Sequence, residues 1–158
     1  MTIKSPNHKF HLLLHSADLL QEHLSVKLLA LGITSSQARV IKALNRLGKI
    51  SQIDLAREFD ITAASMSTMT SRLTALGFIT TQKDPANAKR NLLSLTSKGT
   101  GVIDDIEVVW ASVDEYIEGL IGKDKLEAIG ELAQELRDSL GGHKPGEKPI
   151  VKSKGKYD

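Results

Sequence analysis

The chain contains no cysteine among its 158 residues. That excludes disulfides, thiolate-held metals and thiol redox sensing, and it suits a cytosolic protein. No charged leader runs into a sustained apolar stretch with a small-residue cleavage site, and no apolar run approaches the length of a membrane span. A soluble, unexported, cytoplasmic protein without a membrane partner is expected. There is no internal repeat, nucleophile elbow, phosphate loop or metal-ligand cluster, and Asp104 and Asp105 point in different directions on a helix. No enzyme and no cofactor are expected.

Net formal charge is also nearly absent, at +2, but the charges are unevenly distributed. Residues 1–47 carry six basic and two acidic side chains, and residues 48–99 carry seven and four. Residues 100–140 reverse this with three and eleven, and residues 141–158 hold five and two. A basic first two thirds followed by an acidic region would orient the molecule in the field of a polyanion, or simply form solvated charged faces.

With 41% hydrophobic residues the chain has ordinary core-building capacity for one globular domain. Apolar periodicity predicts a first helix from about His8 to Ala30, with Phe10, Leu13, Leu14, Ala17, Leu20 and Leu24 on one side. Thr34 and Gln37 form a Thr-x-x-Gln capping box for a second helix that stops at Gly48. Ser51 with Asp54 caps a short third helix, and Asp60 to Thr62 form a tight turn into a fourth. After Gly77, FITTQK reads as a strand, DPANAKR as a turn-rich loop and NLLSL as a returning strand. One helix from Ser97 to about Leu120 and another from Asp124 to Leu140 follow. Beyond them GGHKPGEKPIVKSKGKYD is too poor in apolar residues to pack and reads as a disordered basic tail.

The fourth helix, TAASMSTMTSRL, has an odd outer face. Met66, Met69, Leu73 and Leu76 share the buried side, and Ala64, Ser67, Thr68 and Ser71 lie opposite, where a surface helix would carry Glu and Lys. A short helix, a three-residue turn, this helix and a hairpin make a winged helix-turn-helix, whose second helix enters the major groove of DNA. Small hydroxyl and methyl groups suit base edges and thymine methyls, and acidic groups would repel phosphates. The competing reading is that small residues let this helix pack against another. Candidate DNA-contacting residues are Ser51, Ala64, Ser65, Ser67, Thr68, Ser71, Arg72, Lys83, Lys89 and Arg90. A winged module that binds another protein would share the core without needing an uncharged face.

LGITSSQARVIKAL, ISQIDLAREFDITAASMSTMTSRLTALGFI and LTSKG, in this order and spacing, resemble the MarR family of bacterial transcription regulators over about residues 8–140. The resemblance implies a mainly α winged helix-turn-helix protein with a two-stranded β-hairpin wing and a helical dimerisation region. Residues 1–33 and 100–140 would supply dimerisation helices, residues 34–99 the DNA-binding domain, and residues 141–158 the tail. It further implies a homodimer on a pseudo-palindromic double-stranded operator, usually as a repressor released by a small-molecule effector. The family's wing carries an acid, one residue, then an arginine that enters the minor groove, six positions before the Leu of Leu-Thr-x-x-Gly. Here Lys89 stands six before Leu95, Arg90 five before it, and Asn87 takes the acid's place. Either Arg90 serves that role one residue off register, with Lys89 on a phosphate, or Lys89 does it less well.

Two further features stay open on sequence alone. His8, His11 and His15 share the polar face of the first helix, which suits solvent or a dimer contact, although an i, i+4 pair can hold a divalent metal. Trp110, the one tryptophan, either packs near the helix junctions or walls a ligand pocket.

Overall fold

The structure, a computed structural model, describes residues 8–147. Helix α1 (Lys9–Leu29) closes near Gly32, and Thr34 opens α2 (Ser35–Leu47) through both bonds of the capping box. The Gln37 amide donates to Thr34 Oγ1 at 3.2 Å and the Thr34 amide to Gln37 Oε1 at 2.9 Å. Strand β1 (Ile50–Ser51) leads directly into α3 (Gln52–Glu58). Asp60, at φ 52°, makes the sharp turn into α4 (Ala63–Ala75); Asp tolerates this left-handed conformation better than most residues. The hairpin β2 (Ile79–Asp84) and β3 (Asn87–Leu95) follows, then α5 (Ser97–Gly101), α6 (Ile103–Ile121) and α7 (Lys123–Ser139). No helix among the described residues is long and apolar enough to cross a membrane.

The expected two-stranded hairpin is present, and β1 joins it to make a three-stranded antiparallel sheet in the order β1-β3-β2. Strand β1 is only a pair of residues, Ile50 opposite Leu93 and Ser51 opposite Leu92, and so has no periodicity of its own to read. The expected turn-rich loop is also mostly strand. Only Pro85 and Ala86 form the turn, with Asp84 Oδ1 accepting the Ala86 amide at 2.9 Å, and Lys89 and Arg90 belong to β3. The single helix expected from Ser97 is broken at Val102 into α5 and α6.

The core lies under the winged module. Leu28 from α1, Val40, Ile41 and Leu44 from α2, Leu55 from α3, Met66 and Leu73 from α4, Phe78, Ile79 and Leu93 around the sheet, and Ile106 from α6 form one buried cluster. Trp110 is half-buried against it and also lines a cavity beside α2. The apolar stripes of the long helices have no such cover: Leu13 of α1 is 57% exposed and Leu132 of α7 is 65% exposed. Between α1, α6 and α7 runs a groove of about 940 Å³ lined by Leu19, Leu20, Val26, Leu120, Leu126 and Ile129.

Residues 141–147 correct the expectation of a disordered tail from residue 141 onward. Gly142 donates to the Arg137 carbonyl at 2.9 Å, the chain reverses, and Pro145 is buried against the winged module. The remainder of that expectation, residues 148–158, lies outside the described residues.

Leu95-Thr96-x-x-Gly99 ties the wing to the helix that follows it. Thr96 Oγ1 donates to the Gly77 carbonyl at 2.6 Å and accepts the Gly99 amide at 3.1 Å, and the Thr96 amide donates to the Phe78 carbonyl. A Cβ built at Gly99 would lie 2.0 Å from Phe78 O, a backbone atom that is itself held by Thr96. Alanine is the better helix former by about 1 kcal/mol, but relieving this overlap must shift backbone. Gly99→Ala should therefore destabilise by about 1–3 kcal/mol. A urea midpoint at or above that of the unaltered chain would contradict this.

Candidate nucleic-acid interface

Helix α4 is held from beneath and capped at its start. Thr62 Oγ1 accepts the Ser65 amide at 3.1 Å, and Met66 and Leu73 are fully buried. Thr70 lies between them, 3% exposed, with its hydroxyl near the Met66 carbonyl at 2.9 Å and Gln52 Oε1 of α3 at 3.2 Å. That contact fixes α4 against α3 in the middle of the helix-turn-helix. Sequence inspection missed Thr70, although its position four after Met66 and three before Leu73 places it on the buried stripe.

The opposite face is open, small and uncharged. Ala64, Ser65, Thr68 and Ser71 are exposed, as is Arg72. Thr68 donates its hydroxyl proton to the Ala64 carbonyl at 3.2 Å, leaving its methyl and lone pairs free. Ser65 Oγ accepts from Thr62 Oγ1 at 2.9 Å and keeps its own proton. The Ser71 hydroxyl has no hydrogen bond, and Arg72 no ion pair, among the described residues. Ser67 departs from the expected pattern: it is half-buried at the edge of this face. Leu76 departs in the other direction, at 41% exposure.

Ser51 does not join the surface. At 5% exposure its Oγ accepts the Asp54 amide at 3.2 Å and donates to Asp54 Oδ2 at 2.7 Å, so it caps α3 rather than offering a free hydroxyl. Arg90 converges on the same place, ion-pairing with Asp54 and donating to Ser51 Oγ at 3.0 Å. This tethers the wing to the start of α3. The reason lies in the register: Lys83 faces Asn91 but Asp84 faces Asn87, so residues 88–90 bulge out of the ladder. A bulge bends its strand and re-aims side chains, here turning Arg90 inward. Lys83 and Lys89 are exposed and have no ion pair among the described residues. Arg90, one of the two candidates for the groove, is thus held by Asp54 and Ser51, whereas Lys89, the other, has no ion pair among the described residues.

Among the described residues no three or more His, Cys, Asp or Glu side chains are grouped so as to hold a metal ion. On α1, His8, His11 and Phe10 cluster as rings, with Phe10 and His11 centroids 4.0 Å apart.

Comparison with known proteins agrees with this geometry. The MarR family model matches residues 31–90, the span from the α1–α2 turn into β3 of the wing. The regulator FarR of Neisseria gonorrhoeae, an HTH-type transcriptional regulator, is 29% identical over 104 residues, 66% of this chain and 71% of FarR. The DNA complex of MepR from S. aureus superposes with a TM-score of 0.72 at 17% identity, over 84% of this chain and 98% of MepR. BpsR of Bordetella bronchiseptica, whose DNA binding is regulated by 6-hydroxynicotinic acid, gives a TM-score of 0.73 at 21% identity, over 84% and 94%. Residues 31–90 thus match the MarR family model, and the chain shares the winged helix-turn-helix fold of these structures along most of its length.

The two wing cations should separate in the absence of DNA. Arg90→Ala removes a partly exposed ion pair and a hydrogen bond and should cost about 1 kcal/mol or less, whereas Lys89→Ala should leave the urea midpoint unchanged. Equal midpoints for the two variants would contradict the tethering role.

Proposed function

We propose that this protein is a sequence-specific double-stranded DNA-binding transcription regulator, acting in the cytoplasm as a homodimeric repressor that a small ligand releases. It carries no catalytic role. The observation behind this reading is the exposed face of α4, an uncharged set of methyl and hydroxyl groups beside a β-hairpin wing with free cations. Ala64, Ser65, Thr68 and Ser71 are assigned to base edges, with Ser67 at the margin and Arg72 on a phosphate. Lys83 and Lys89 reach the backbone or the adjoining minor groove, and Arg90 holds the wing in place for them.

Dimerisation follows from the uncovered stripes. The exposed leucines of α1 and α7 and the apolar groove between α1, α6 and α7 form a contiguous surface of the kind that a second copy of the chain covers. A two-fold dimer then presents two α4 helices to a pseudo-palindromic site. MepR and BpsR lend support to DNA binding and ligand control respectively.

Selection from a random duplex pool tests the assignment. An enriched pseudo-palindrome is expected, and a mismatch opposite α4 should cost about 1–3 kcal/mol in the native protein. Thr68→Ala and Ser71→Ala should flatten that preference while leaving weak, salt-sensitive binding to scrambled DNA. Uniform weak binding with no enriched sequence would favour a winged module that binds another protein. Full retention of preference in both variants would overturn the roles given to that face.

A further inference from the structure

Residues 143–146 fold back from α7 onto α2 and α3. The Pro145 carbonyl accepts from Arg46 Nη2, and the Gly146 amide donates to Glu58 Oε2 at 2.7 Å. Gly146 sits so close to Leu47 that a Cβ there would lie 3.3 Å from Leu47 Cδ2. Between this segment, α2 and α6 lies a cavity of about 440 Å³, within the range of small-molecule sites.

The charge of its lining is lopsided. Arg39, Lys42 and Arg46 rise from one face of α2 at helical spacing, and Arg137 and Lys144 approach from α7 and the returning chain, against one lining carboxylate, Glu107. Lys42 pairs with Glu107, Arg137 with Asp138 at 2.8 Å, and Lys144 with Glu147 at 3.4 Å. His143 stands 4.0 Å from Glu58. Arg39 and Arg46 have no carboxylate partner among the described residues. Arg39 lies over the Phe59 ring, 5.5 Å from its centroid, and Arg46 has only the Pro145 carbonyl.

We propose that this cavity binds a small multivalent anion whose oxygens, from a phosphate ester or a polycarboxylate, lie between Arg39 and Arg46. Guanidinium forks match such oxygens bidentately, and two uncompensated forks call for more than one negative charge. A ligand recognised mainly through its aromatic ring is disfavoured, because Lys42 Nζ already lies 5.9 Å from the centroid of the Trp110 ring, the aromatic wall. His143 and Pro145 close the site, so occupancy fixes the segment that joins α7 to the reading module. The assignment is independent of DNA binding.

The test uses the full chain without DNA. Thermal unfolding is followed against inorganic phosphate and, separately, citrate, each with chloride adjusted to constant ionic strength. A saturable rise in Tm with phosphate points to an ester, and one with citrate to a polycarboxylate. Arg39→Gln with Arg46→Gln should raise the half-saturating concentration about tenfold or more, and the surface control Lys125→Gln should not. Backbone amide exchange at Gly146 should slow with the anion. No saturable rise, a rise equal in the double variant, or unchanged Gly146 exchange at saturation would overturn the proposal.

Discussion

What α4 offers to DNA depends on how it is anchored. Met66 and Leu73 are buried to the last atom, and Thr70 between them touches Gln52 on α3. These three side chains set the rotation of the helix about its axis. A turn of one residue would bring charged Arg72 or half-buried Ser67 into the place of Thr68 and Ser71. The apolar side of α4 therefore determines which of its polar groups can meet a base edge. Packing in a protein core is dense enough to hold such a rotation closely, since even small volume changes there are felt.

The same small core explains why the remaining helices look outward. It takes in Leu28 near the end of α1 and Ile103 and Ile106 at the start of α6, with Leu24, Val109 and Trp110 packed against its edge, and leaves many of the other apolar side chains of both helices exposed. Apolar side chains in such numbers, left in water, favour association in proportion to the area removed. The long helices therefore serve two ends, one fused to the reading module and the other available to a second copy. Residues 141–147 add a second link between α7 and that module, through backbone groups held by Arg46 and Glu58 together with the buried Pro145.

Much of this was legible in the sequence because the relevant signals are local. Thr34 with Gln37, Ser51 with Asp54 and glycines at 48 and 77 mark helix ends by chemistry acting over three or four residues, and each sits where expected. The outer face of α4 was legible for the same reason, by helical spacing alone. What escaped depends on partners distant in the chain. Strand β1 exists through Leu92 and Leu93, Arg90 is turned by a bulge toward Asp54, and Ser51 is hidden by the groups it caps. The returning tail escaped because composition measures apolar content, whereas Pro145 and Gly146 are held largely by Arg46 and Glu58.

The account's central claim is that two copies of α4 read DNA as a symmetric pair. Hydroxyl-radical footprinting on the enriched duplex tests it most directly. The account predicts two protected patches related by a two-fold axis, their centres about 34–36 Å apart or a multiple of that, with both lost together on dilution of the protein. A single asymmetric patch would contradict it.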